Sequence, residues 1–195
     1  MAYGFYFNQQ RCIGCGACQI SCKDKFDFQT AGPRPRRVDN FEAGTFPTCS
    51  MFTTSLACNH CDNPACTEVC PTGAMFKGAD GLVLHDDEVC IGCLSCANAC
   101  PYGAPQFNEE KGIVQKCDAC SALREAFGGN PICVDACPMR ALDFGDMEEL
   151  RAKYGGDLVS ECLGMPSAET TSPNILIEPR EAALGDEATL RAIIL

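Results

Sequence analysis

Apolar residues along this chain come in short, interrupted groups, never in the run of about 18 that a membrane-spanning helix requires. The longest candidates, Asn174 to Ile177 and Ala192 to Leu195, fall far short. Two apolar-rich stretches, Ala74 to Lys77 and Leu82 to His85, flank Gly78-Ala79-Asp80-Gly81 and predict a β-hairpin around that turn. A helix is predicted from Asp146, which stands as N-cap with Glu149 at the third helical position and Gly155-Gly156 as the stop. From Leu158 to Leu195 the chain holds several prolines and isolated patches, Ile175-Leu176-Ile177 and Ile193-Ile194-Leu195, too scattered for a core of its own. This segment is expected to form an extended arm lying along a partner, the alternative being a tail packed on its own domain.

Composition sharpens the question of what holds so little apolar sequence together. The 195 residues have room for one ordinary domain or two small ones. Of the 46% hydrophobic residues, the 18 cysteines make up about 9%, so only about 37% is conventional core material. Cysteine chemistry must therefore organise the fold. A formal charge of -11, with no long basic run, repels phosphate backbones, so no nucleic-acid partner is expected. The first basic residue, Arg11, has no apolar segment behind it, and Arg36-Arg37 lies inside the chain with no hydrophobic segment following, so the chain is expected to carry no export signal of its own.

Sixteen of the cysteines fall into four groups of four: Cys12, Cys15, Cys18 and Cys22; Cys58, Cys61, Cys66 and Cys70; Cys90, Cys93, Cys96 and Cys100; Cys117, Cys120, Cys133 and Cys137. The first and third follow the C-x2-C-x2-C-x3-C spacing of ferredoxins, and the last three end in Cys-Pro, at Pro71, Pro101 and Pro138. Thiolates at this spacing let a short loop wrap three corners of an iron-sulfur cube, with Gly14, Gly16, Gly92 and Ser95 small enough for close backbone approach. The last cysteine, one turn further along a short helix, points away and ligates a neighbouring cluster, which brings two clusters within electron-transfer range. Proline then turns the chain out of the ligand segment. Structural zinc favours C-x2-C pairs a dozen or more residues apart, a pattern only the last group resembles. Disulfide frameworks suit short secreted chains, and cysteines this crowded pair poorly.

The hairpin between Cys70 and Cys90 makes the second and third groups read as one complete two-cluster module. Ala74, Ala104 and Ala141 each lie four residues past the last cysteine of a group, a Cys-Pro-x-x-Ala repeat that points to duplication. The first and fourth groups then form the other module, nested around it. The expected ligand sets are Cys12, Cys15, Cys18 and Cys137; Cys22, Cys117, Cys120 and Cys133; Cys58, Cys61, Cys66 and Cys100; and Cys70, Cys90, Cys93 and Cys96, each holding a 4Fe-4S cluster. Sequential pairing of the groups is the competing arrangement, disfavoured because residues 22 to 58 show no such compact hairpin. The fold class is thus α+β: two ferredoxin-like modules with two 4Fe-4S clusters each, one from residues 1–50 and 112–150, the other from 51–111, followed by a helix and extended arm over 151–195.

The segments YGFYFNQQRCIGCGAC, SLACNHCDNPACTEVCPTGAMFK, DGLVLHDDEVCIGC, CPYGAPQFNEEKG and QKCDAC, with a weaker echo in SPNILIEP, resemble the four-cluster electron-transfer subunit of the dimethyl sulfoxide reductase family of molybdopterin oxidoreductases. The resemblance spans Tyr3 to Gly145. It implies a large catalytic partner carrying a molybdopterin of the bis-guanine-dinucleotide type, with a membrane anchor or another electron donor at the opposite end. It also implies that the cluster of Cys12, Cys15, Cys18 and Cys137 is proximal to the molybdenum partner, and that the cluster of Cys70, Cys90, Cys93 and Cys96 is distal. Some relatives carry tryptophan where this chain has Cys96 and hold a three-iron cluster there; the cysteine implies a cubane. Lys23, in place of a proline after Cys22, also fits the family's first group. Location is left open between the cytoplasm and co-export with a signal-bearing catalytic subunit.

The remaining residues offer no catalytic constellation, since there are two histidines, no nucleophile elbow and no phosphate loop. The chain is expected to move electrons and not to transform a substrate. A free-standing polyferredoxin is the alternative to a relay subunit. Cys49 and Cys162 are read as inert thiols, His60 as a packing residue that could instead hydrogen-bond a sulfur, and His85 as surface. Lys23, Lys116 and Arg140 either raise a cluster potential or face solvent. With so thin an apolar core, the clusters are expected to supply much of the folding free energy.

Overall fold

The computed structural model describes residues 2–193. In chain order the elements are β1 (Tyr3–Asn8), α1 (Ala17–Lys25), β2 (Arg37–Ala43), β3 (Ser50–Leu56), α2 (Ala65–Glu68), β4 (Met75–Lys77), β5 (Val83–His85), α3 (Ser95–Ala99), β6 (Gln106–Asn108) and β7 (Ile113–Gln115). There follow α4 (Ser121–Phe127), α5 (Ile132–Asp135), β8 (Leu142–Asp146), α6 (Met147–Tyr154), β9 (Ile175–Glu178) and β10 (Thr189–Ile193). This is a mixed α and β architecture of short elements, as expected.

The cysteine groups set the helices. Cys18, Cys66, Cys96 and Cys133 each stand at the second position of a short helix, α1, α2, α3 or α5, and the last cysteine of each group follows one turn later. The predicted hairpin is β4 with β5, Met75 opposite His85. The predicted helix is α6, where the Asp146 carboxylate accepts hydrogen bonds from the Glu148 and Glu149 N–H groups and Gly155 closes the end.

Pairing brings the ends of the chain together. In the first sheet β1 is central, antiparallel to β8 and parallel to β9. Its inner residues Phe5, Tyr6 and Phe7 are buried, as are Ile175, Leu176 and Ile177 of β9. With α1 packed on α5, this sheet unites the first and fourth cysteine groups, while α2 packed on α3 unites the second and third.

Three expectations need correction. Residues 22 to 58 do contain an antiparallel pair, β2 with β3, extended by β10 into a second sheet. Its hydrophobic alternation is broken by Asp39-Asn40 and by Thr53-Thr54-Ser55, and those three β3 residues are buried although polar. The boundary at 50/51 falls where β3 begins, so the β2–β3 pairing runs across it; the boundary at 111/112 falls in the turn of the β6–β7 hairpin. The C-terminal segment does not stand away as an arm. Its Ile175–Glu178 strand is an integral edge of the first sheet and β10 an edge of the second, because three consecutive aliphatic residues find a buried place beside β1. Of the terminal patch, Ile194 and Leu195 lie outside the described residues.

Candidate metal centres

Each of the four expected cysteine sets converges in space. Cys12, Cys15, Cys18 and Cys137 line one cavity, whose other walls include Phe7, Val38, Ser55 and Met139. Cys70, Cys90, Cys93 and Cys96 line a second, with Met75, Ile91, Leu94 and Val114. Cys22 interacts electrostatically with Cys117, Cys133 and Cys120, and Cys66 does so with Cys58, Cys100 and Cys61.

The donor chemistry fits an iron-sulfur cluster better than either alternative. All eighteen cysteines are free thiols, so no disulfide framework exists. Among the described residues no three His, Cys, Asp or Glu side chains converge tightly enough for a lone ion, as Zn–S bonds of about 2.3 Å would require. Burial pushes the Cys66 thiol up to about 12, and those of Cys12, Cys61 and Cys120 up to about 11. Four such sulfurs become stable thiolates together only when a cationic metal core replaces their protons.

Backbone N–H groups are aimed at these sulfurs. Gly14 donates to Cys12 Sγ at 3.5 Å and Ala119 to Cys117 Sγ at 3.4 Å. The Cys-Pro-x-x-Ala repeat has the same purpose: Ala104 N donates to Cys100 Sγ at 3.5 Å and Ala141 N to Cys137 Sγ at 3.3 Å. In the second group the donor is the next residue, Met75, at 3.4 Å from Cys70 Sγ. All three repeat alanines are buried, so a larger side chain there has no room. Side-chain hydroxyls add contacts that the local sequence does not announce. Ser55 Oγ lies 3.4 Å from Cys18 Sγ, and Thr171, 110 positions along the chain, donates to Cys61 Sγ at 3.2 Å. Their signal is tertiary, since both come from strands or loops without cysteines.

The sets differ in exposure. Cys15 and Cys93, in the sets lining the two cavities, are exposed, whereas Cys22, Cys117, Cys120 and Cys133 are all buried, as are Cys58, Cys61 and Cys66. Exposed apolar residues, Ile13 and Met139 at one end and Ile91 and Val89 at the other, flank the exposed cysteines.

Several single residues settle differently from expectation. His60 is fully buried and does pack, stacked beside Phe5. Its Nδ1 also accepts from the Val83 N–H at 3.0 Å, leaving Nε2–H pointing to Cys117 Sγ at 4.0 Å. His85 is not a free surface group, since its ring is largely covered and meets Asp87 at 2.8 Å. Lys116 is buried and donates to the carbonyls of Val83, in strand β5, and of Cys117, so the solvent-facing reading fails for it. Arg140 is exposed, with its guanidinium on the carbonyls of Asp135 and Cys137; the half-buried Lys23 sends its exposed ammonium to the Thr30 carbonyl. Cys162 is buried beside Gln9, and Cys49 is exposed and outside every set. Arg36, which the sequence marks only as half of an internal arginine pair, carries a guanidinium that is 1% exposed.

Residues 49–147 match the family described as a 4Fe-4S dicluster domain, and residues 9–27 match a 4Fe-4S binding domain. The sequence is 48% identical over 185 residues to the B subunit of the anaerobic dimethyl sulfoxide reductase of Escherichia coli K12, covering 91% of this protein and 88% of that one. This protein belongs to the iron-sulfur electron-transfer subunits of the dimethyl sulfoxide reductase family. The B subunit of the Haemophilus influenzae reductase is 45% identical over 190 residues, with 93% of this protein and 91% of that one aligned. A more distant relative, the thiosulfate reductase electron transfer subunit PhsB of Salmonella typhi, is 36% identical over 148 residues, 75% of this protein and 77% of its own length. As a member of this family the iron-sulfur subunit transfers electrons within a reductase complex and is not its catalytic component.

Proposed function

We propose that the iron-sulfur subunit holds four 4Fe-4S clusters, on Cys12, Cys15, Cys18 and Cys137, on Cys22, Cys117, Cys120 and Cys133, on Cys58, Cys61, Cys66 and Cys100, and on Cys70, Cys90, Cys93 and Cys96. The observation that carries this reading is the convergence of sixteen thiols into four sets of four, each drawn from two separate groups. The clusters supply one-electron redox chemistry. The polypeptide fixes their order, excludes water from the inner two sets and directs N–H donors at the sulfurs, which favours the more negative reduced state.

The exposed Cys15 and Cys93 mark the two ends of the path. We assign the Cys15 end to a catalytic subunit carrying a molybdopterin of the bis-guanine-dinucleotide type, and the Cys93 end to the electron donor, whether a membrane anchor or another carrier. Apolar surface beside each exposed cysteine supports docking at both ends. No helix of the described residues is long and apolar enough to cross a membrane, so contact with an anchor would be made by surface docking. The two modules are the β1–β8 pair with α1 and α5, and the α2–α3 pair with the β4–β5 hairpin.

Anaerobically purified complex should contain about sixteen irons per iron-sulfur subunit, four distinguishable cluster signals in electron paramagnetic resonance, and molybdenum in the copurifying large subunit. An iron content near eight, or zinc in its place, would overturn the four-cluster assignment.

A further inference from the structure

Arg36 stands immediately before β2 and is among the most deeply buried side chains of the protein. A guanidinium so placed loses its hydration, which is strongly unfavourable unless an anion offsets it. No Asp or Glu forms an ion pair with it among the described residues; the neighbouring Arg34 meets Asp39 instead. Nη1 donates to the Ser55 carbonyl at 2.9 Å and to Ser55 Oγ at 3.2 Å, and the guanidinium lies 4.6 Å over the Phe5 ring. Nε and Nη2, both buried, have no partner among the described residues. The electrostatic partners of the side chain are Cys133, Cys18, Cys117 and Cys22.

These residues belong to two ligand sets. Cys18 is in the set with Cys12, and Cys22, Cys117 and Cys133 are in the fully buried set; Cys18 and Cys22 lie one turn apart on α1. A direct path reaches the first set, from Arg36 Nη1 through Ser55 Oγ to Cys18 Sγ at 3.2 and 3.4 Å. We infer that Arg36 is the shared counter-charge of these two clusters, its unpartnered N–H donors serving their anionic sulfurs and its positive charge holding both reduction potentials up. This rests on the ligand sets assigned above. It makes Arg36 a positioning and tuning residue, not a ligand. A cation fixed in a low-dielectric interior favours the state with one more electron at each cluster it faces. Two neighbours raised together keep the step between them small, whichever way the electron moves.

The test is a redox titration of the anaerobically purified complex followed by electron paramagnetic resonance. In Arg36→Met, two of the four signals should lose about tenfold or more in reduction equilibrium constant, about 59 mV for each tenfold in a one-electron couple. The other two signals should stay in place, and Arg36→Lys should recover most of the shift. Ser55→Ala, which keeps the buried charge and cuts the hydroxyl bridge, should lower one signal alone, that of the Cys18 set. Should Arg36→Met fail to assemble, the Ser55→Ala titration decides. Four intact signals at unshifted potentials, or a uniform shift of all four, would overturn the role of Arg36 and leave the ligand sets standing. Wild-type complex with fewer than four cluster signals would overturn the ligand sets themselves.

Discussion

At the scale of single residues, the ligand loops depend on backbone conformations that side chains oppose. Gly92, between Cys90 and Cys93, sits at φ +64°, and a Cβ there would come 2.3 Å from the Gly112 carbonyl oxygen. Both the left-handed conformation, worth about 1–3 kcal/mol, and the clash with main chain act on the loop that carries two cysteines of one set. Gly92→Ala should therefore cost the protein one cluster's iron and one resonance signal. The control is Gly128→Ala, at φ +70° with nothing within 4 Å of the added carbon, which should keep full iron content. The same comparison explains what was legible in the sequence. Cysteine spacing and the glycines inside it are local, so the four cysteine groups could be read directly. Arg36 could not, because its burial is decided by β1, β3 and α1 together. Thr171 is likewise 110 positions from the sulfur it serves.

At the scale of elements, the α6 cap and the β4–β5 hairpin follow from a few adjacent residues, and both stand where those residues put them. β9 does not, since its partner β1 lies at the other end of the sequence, and β2 and β3 do not, since the polar Asp39-Asn40 and the buried Thr53-Thr54-Ser55 hide their alternation. The C-terminal segment departs furthest from expectation. Ile175, Leu176 and Ile177 are at most 2% exposed, and burying three aliphatic side chains contributes about 1.5–3 kcal/mol each. The sum is comparable with the whole stability of an ordinary domain. Asn174 adds to this by donating to the His60 carbonyl at 2.8 Å, inside the second ligand loop. Truncation after Gly164 should yield polypeptide that is rapidly degraded and poor in iron, as measured by limited proteolysis and metal analysis. A truncated protein with full iron and wild-type protease resistance would mean that β9 is dispensable.

For the whole molecule, the main apolar cluster runs through the proposed ligands themselves. Cys18, Cys58, Cys66, Cys96, Cys117, Cys133 and Cys137 are members of one core with Phe5, Val38, Phe52 and Ile175. Removing the inorganic component therefore empties the centre of the fold and leaves Arg36 as a buried cation without its anions. Anaerobic chelation should abolish the cooperative thermal transition seen by circular dichroism, and reconstitution with iron and sulfide should restore it. A chelated protein that still melts sharply would show that the polypeptide folds unaided.

The parallel pairing of β1 with β9 joins residues 5–8 to residues 175–178. During synthesis β1 must wait, with one flank open, until residues 175–178 have followed it out of the ribosome. Cys137, needed beside Cys12, also emerges late. The first thiols made are thus closed in only after the much later β9 has been added, and iron and sulfide can reach them before that closing strand docks.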